Sequence, residues 1–156
     1  MEKVIPKKLL TVALASVVWV ACVQHCAAKR PTAEELFKQA VDAAEIQHDP
    51  DKAIALMERV LKSRPRALNA YIALSVYYAR DKRNLPKAES IIKRALVIAP
   101  ADFACQYQYA QVLADQKRLV AAQNVLLKAN AKTGAERAKR DKVLKLITDY
   151  AQSKKQ

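Results

Sequence analysis

Glycine is almost missing from this chain: Gly134 is the only one in 156 residues. A single glycine excludes the glycine-rich loops that cradle phosphates, since both the P-loop and the dinucleotide fingerprint need at least two. Histidine is nearly as scarce, with His25 and His48 alone, so no H-E-x-x-H metal motif exists. Few neutral-pH bases are therefore on offer. Of the three cysteines, Cys22 and Cys26 flank His25 in the order C-V-Q-H-C, which is not the C-x-x-C-H of haem attachment. A zinc site would need a second pair of ligands, and His48 and Cys105 do not form one. Asp and Glu are scattered without a paired setting. No catalytic residue, metal or cofactor is expected, and the chain does not read as an enzyme. Sustained two-residue alternation is absent as well, while apolar residues make up 52% of the chain, which predicts an all-α fold.

Acidic residues are the minority charge: 28 Lys and Arg face 15 Asp and Glu, for a formal +13. Lys3, Lys7, Lys8 and Glu2 account for only two of these charges, so the rest of the chain is itself basic. Residues 1–28 have a character of their own. Three lysines precede an apolar run from Leu9 to Val23, the layout of a secretory signal peptide. That run is shorter than the roughly 20 residues a membrane-spanning helix needs. Trp19-Val20-Ala21-Cys22 resembles a bacterial lipobox, matching it at Ala21 and Cys22 and departing from it at Trp19. The resemblance implies lipid attachment at Cys22. Cys26-Ala27-Ala28 offers a competing cleavage before Lys29, and an uncleaved N-terminal membrane anchor is the third outcome. Each places the protein outside the cytoplasm, periplasmic or membrane-anchored and facing the periplasm.

From residue 29 the chain repeats itself. Tyr71, Leu74, Ser75 and Tyr78 form an i, i+3, i+4, i+7 stripe, and Leu85, Ala88, Ile92 and Ala95 form another that stops at Pro100. Thirty-five residues earlier, Leu36, Ala40, Ala43, Ala53, Met57, Val60 and Pro65 occupy the same positions. In the third copy Ala110, Leu113, Ala122, Leu126, Ala129 and Gly134 do so. The middle copy, Tyr71-x2-Leu74-Ser75-x2-Tyr78 then Ala88-x3-Ile92-x2-Ala95-x4-Pro100, resembles the tetratricopeptide repeat family. The outer copies depart from the pattern, with Gln39 in place of leucine and Gln106 in place of the large aromatic.

The resemblance implies a right-handed superhelical stack of three helical hairpins, about 32–66, 67–101 and 102–134, within a repeat domain of residues 29–134. Residues 135–156 form a capping helix and basic tail. Helices are expected at about 32–47, 50–63, 67–82, 85–98, 102–116, 119–131 and 135–152. Thr32 with Glu35 reads as a capping box, Asp49-Pro50 as cap then first-turn proline, and Asn84 and Asp102 as further caps. Ala40, Ser75 and Ala110, with Ala53, Ala88 and Ala122, are read as close-approach positions with no room for a larger side chain. Val143, Leu146, Ile147 and Tyr150 give the last helix an apolar stripe to cover the open end of the stack.

In the tetratricopeptide family the first helices line a concave groove. Carried onto this chain, the groove positions that matter most are Phe37, Val41, Asn69, Ile72, Val76, Arg80, Tyr107 and Gln111. They imply a floor for a peptide or helix of a partner protein. The family's cationic clamp for a terminal carboxylate maps to Phe37, Val41, Ala73, Ala104 and Gln108, none of which is cationic or Asn. Small bacterial outer-membrane tetratricopeptide lipoproteins resemble both halves of the chain, which implies a protein–protein interaction scaffold or adaptor of the cell envelope. The alternative is a basic surface for anionic lipid or nucleic acid, on Lys52, Arg59, Lys62, Arg64, Lys87, Lys93, Arg94, Lys128 and the last helix. Nucleic acid fits less well, because no aromatic residues interleave with the basic clusters. Cys105 is expected to be buried, and a Cys26–Cys105 disulfide stays open.

Overall fold

The computed structural model describes residues 30–153, all helices and connections. Seven helices lie among them: α1 (Ala33–Glu45), α2 (Pro50–Ser63), α3 (Leu68–Arg80), α4 (Leu85–Ile98), α5 (Phe103–Asp115), α6 (Leu119–Lys128) and α7 (Gly134–Ser153). Five starts follow from side chains that accept the unpaired first-turn amides, that of α7 through Thr133 Oγ1, which accepts from Glu136 N at 3.1 Å. Thr32 Oγ1 accepts from Glu35 N while Glu35 Oε2 accepts from Thr32 N, completing the capping box. Asp49, Asn84 and Asp102 accept from Lys52, Lys87 and Cys105 amides at 3.0, 3.1 and 2.9 Å. Pro50 and Pro86 sit in first turns, where no amide is needed.

The helices pair as hairpins, α1 on α2, α3 on α4 and α5 on α6. Each hairpin then packs on the next through α2–α3, α4–α5 and α3–α5. The small residues are the reason the pairs approach so closely. Ala40, Ser75, Ala110, Ala53, Ala88 and Ala122 all have no exposed surface. Large side chains fill the space between them: Met57, Ile92, Leu113 and Leu126 are also fully buried. Each such side chain contributes roughly 1.5–3 kcal/mol relative to exposure.

Two cores result. One joins α1 to α4 and takes in Cys105, and the other joins Ala110, Leu113, Ala122, Leu126 and Ile147 across α5, α6 and α7. The capping role expected of the last helix is seen here, since α7 packs on α6 and α5 and buries Ile147. Cys105 is buried and pairs with no cysteine among the described residues, and burial pushes its pKa up to about 12. Cys22, Cys26 and the expected signal or anchor lie outside the described residues. No helix among the described residues is long and apolar enough to cross a membrane.

Within each hairpin the turn passes through the left-handed region without glycine. His48, Arg83 and Lys117 have φ of 52, 48 and 63°. They are spaced as the repeats are, so the same strained turn recurs three times.

Gln106 explains its own departure from the repeat pattern. Tyr71 Oη donates to the Pro65 carbonyl at 3.0 Å, and Gln106 Nε2 donates to the Pro100 carbonyl at 2.8 Å. Both bonds run back six residues, from the first helix to the proline that ended the previous one. A glutamine thus keeps the tie that the aromatic hydroxyl makes in the second hairpin. Gln106 Oε1 also accepts from Asn130 N at 3.0 Å. That bond catches the chain just past α6, where Ala129 has turned extended at ψ 134°. The helix therefore ends at Lys128 rather than at 131.

Candidate functional site

A cavity of about 500 Å³ opens between the first helices of the second and third hairpins and α7. Helical spacing brings its walls together. Val76, Ala79 and Arg80 sit at i, i+3, i+4 on α3, and Gln108, Gln111 and Ala114 at i, i+3, i+6 on α5. The third wall is α7, whose Val143, Leu146, Ile147 and Tyr150 stripe faces the same space. Leu119, at the start of α6, completes it.

The α3 and α7 walls are apolar away from the rim, while α5 adds Gln111 and Gln108, whose Nε2 donates to Ser75 Oγ at 3.4 Å and joins α5 to α3. Gln108 and Ser75 are both buried, so the bond satisfies groups that would otherwise cost free energy. The rim is charged. Arg80 is held by Asp81 at 2.9 Å and by Glu45 of the first hairpin at 3.5 Å. These partners, Asp81 foremost, raise its already high pKa. Across the opening, burial raises the Asp115 carboxyl above the usual carboxylate range, with Lys117 pulling it back down. Lys117 Nζ lies 5.4 Å from the centre of the Tyr150 ring, a cation–π contact that ties α7 to the α5–α6 turn.

Three of the groove residues expected from sequence, Val76, Arg80 and Gln111, share this cavity. Phe37 and Asn69 line a different one, of about 430 Å³, between the start of α1, the end of α2 and the start of α3. Its mouth carries the Glu34–Arg64 ion pair, and Arg64 holds the Glu34 carboxyl below the usual range. Val41, Ile72 and Tyr107 line neither. Val41 and Ile72 are half-buried against the first core, and Tyr107 packs beside Phe103 with ring centres 5.8 Å apart. The eight positions thus divide between two cavities and the half-buried surface beside them. The wall that sequence reasoning left out is α7: its apolar stripe was legible as a cover for the stack, but the same stripe also faces the cavity.

No protein-family model matches the chain, and no curated protein matches it. Among solved structures the first TPR domain of Spaghetti (RPAP3), bound to the HSP90 peptide SRMEEVD, is similar with a TM-score of 0.64. The match covers 77% of this chain and 93% of that one at 15% identity. The chain has a tetratricopeptide repeat fold. In its terms, α1, α3 and α5 are the first helices of the repeats and α2, α4 and α6 the second, with α7 closing the third repeat. Among the described residues, no group of His, Cys, Asp and Glu could hold a metal ion.

Proposed function

We propose that this protein is a non-enzymatic scaffold that holds a peptide or helix of a partner protein in the cavity between α3, α5 and α7. The observation that carries the reading is the cavity itself: apolar on α3 and α7, with Gln108, Gln111 and Ala114 along α5 and Arg80, Asp115 and Lys117 at its rim. Such a lining suits an amphipathic segment, which buries an apolar face and leaves its polar edge to the charged rim. A similarly folded domain holds an HSP90 peptide, which supports peptide binding by this architecture. The chemistry here differs from a carboxylate clamp, since Phe37, Val41, Ala73, Ala104 and Gln108 stand at the clamp positions. Recognition in this reading rests on apolar contact rather than on a bound terminal carboxylate.

The reading extends to the cell envelope. Residues 1–28 export the protein, and Cys22 is the lipidation site that tethers it to a membrane, facing the periplasm. The resemblance of Val20-Ala21-Cys22 to the end of a lipobox supports this, as does the short apolar run before it.

Val76→Glu is the test of the cavity. It places a carboxylate on the apolar wall, where an apolar ligand would leave it without a counter-charge. Capture of partners from an envelope extract should be lost while helicity by circular dichroism is kept. Capture unchanged with the fold intact would remove the cavity as the binding site. The mass of the mature protein from its native host tests the second part: lipid on Cys22, a start at Lys29 and an intact amino terminus give three distinct masses.

A further inference from the structure

Arg59 on α2, Arg94 on α4 and Lys128 on α6 hold the same position in the three repeats, 35 and then 34 residues apart. All three are exposed. Among the described residues, no carboxylate lies within salt-bridge distance of any of them. Their neighbours reinforce them. A groove of about 320 Å³ between α2 and α4 brings Lys62 and Lys87 up to Arg94 over Leu61 and Ile91, with Glu58 its only acid. The same helices leave aliphatic side chains in water: Val97 is 84% exposed, Val120 72% and Leu127 63%. Of the first helices, α1 carries the opposite charge, with Glu34, Glu35, Asp42 and Glu45 against Lys38, while α3 has only Arg80 and α5 only Asp115.

The geometry points to the second-helix face, α2–α4–α6, as a docking surface for an anionic phospholipid bilayer. A stack that repeats one cation per hairpin presents a row of charges, and a bilayer presents a field of phosphates wide enough to meet all of it. The exposed valines and leucine fit the boundary between headgroups and acyl chains, where apolar atoms leave water beside the phosphates. Single-stranded nucleic acid would call instead for free aromatic faces. The tyrosines here are already covered: the Arg94 guanidinium lies 5.3 Å from the centre of the buried Tyr71 ring, and Lys87 Nζ 5.9 Å from that of half-buried Tyr78. This surface is separate from the α3–α5–α7 cavity and does not rest on the peptide-binding reading.

The test compares three full-length proteins on phosphatidylcholine vesicles with and without phosphatidylglycerol, by co-sedimentation at low and high salt. They are the wild type, the triple variant Arg59→Gln, Arg94→Gln, Lys128→Gln, and a second triple, Arg137→Gln, Lys139→Gln, Lys142→Gln, which removes the same charge from α7. Residues 1–28 are common to all three, so differences belong to the substitutions. The row variant should bind anionic vesicles about a hundredfold more weakly than wild type at low salt, from about 1 kcal/mol per cation near the surface. Its binding to neutral vesicles should be unchanged, and high salt should close the gap. The α7 variant should lose much less. Equal losses in both triples would mean that bulk charge governs, and would overturn the proposal. A row variant that binds like wild type would overturn it too. So would wild-type binding to a single-stranded oligonucleotide that the row variant alone loses while vesicle binding persists. Matching circular dichroism melts keep the comparison free of unfolding.

Discussion

The first two hairpins and the third solve the same packing problem with different means. Hairpins one and two share a core that includes Leu36, Met57, Tyr71, Leu74, Tyr77 and Ile92, and their second helices run 14 residues from side-chain caps at Asp49 and Asn84. The third hairpin also buries Cys105 and Val112, but the core it shares with α7 rests on Ala110, Leu113, Ala122 and Leu126, and its second helix is 10 residues long. Arg118 stands where the cap would be and makes no capping bond. The third hairpin therefore borrows Ile147 from α7 to finish its core. That loan is incomplete: Leu146 stays 58% exposed and Tyr150 38%. The least filled end of the stack is thus the end that carries the larger cavity. A repeat array is stabilised by its neighbour interfaces, so the last interface is where packing and ligand space compete.

The comparison can be broken by truncation. Ile92→Ala, fully buried where the first two hairpins share a core, should cost about 4 kcal/mol, and Ile147→Ala on α7 about 2 kcal/mol. Chemical denaturation of the two variants measures both, and equal losses would mean that α7 is as tightly held as the shared core.

Overpacking gives the next effect. Ala88 has no exposed surface, so Ala88→Leu should cost about 1–3 kcal/mol. Leu85→Ala, at a half-buried helix start, should cost less. Thermal melts that reverse this order would contradict the repeat spacing on which the three hairpins are aligned.

A smaller, pH-dependent effect links the second hairpin to the third. Glu89 of α4 receives Lys93 Nζ at 2.6 Å, Gln116 Nε2 at 2.9 Å and Arg118 Nη1 at 3.1 Å. Lys93 first, then Gln116 and Arg118, lower its pKa from 4.5 to about 2. Because the folded value lies below the unfolded one, its stabilisation is complete above about pH 4.5. It is lost as the pH falls toward 2. Lys93 and Arg118 are half exposed, so solvent screening keeps the contribution to about 1 kcal/mol. Glu89→Gln should lower the melting temperature at pH 7 and flatten its decline between pH 5 and about 2.5. An unchanged decline would place the acid sensitivity elsewhere.

The smallest effect sharpens the comparison turn by turn. His48→Gly and Arg83→Gly should each stabilise by up to about 1 kcal/mol, because glycine accepts the left-handed turn without a Cβ penalty. Lys117→Gly should gain less, since it also removes the contact with Tyr150. A larger gain at 117 than at 48 would show that α7 does not depend on that contact.

Local chemistry was readable from the residues alone. Caps at Thr32, Asp49, Asn84 and Asp102 each needed only an acceptor side chain before an amide-rich first turn, and all four are made. The small residues at Ala40, Ser75, Ala110, Ala53, Ala88 and Ala122 marked the helix contacts through their spacing. Gln106 was not readable as the partner of Tyr71, because what the two share is a hydrogen bond to a proline carbonyl rather than size or polarity.

The all-α class, the helix starts and the pairing into three hairpins depend on periodicity and on bonds between near neighbours, so the residues alone were enough to set them. Tertiary structure decided where α6 stops, because Gln106 reaches Asn130 from another helix. It also decided which groove positions share a cavity. That depends on how far α7 closes over α5 and α6, which is set by the packing of Ile147 and the reach of Lys117 to Tyr150. Neither contact has a period in the chain, so no repeat spacing announces it.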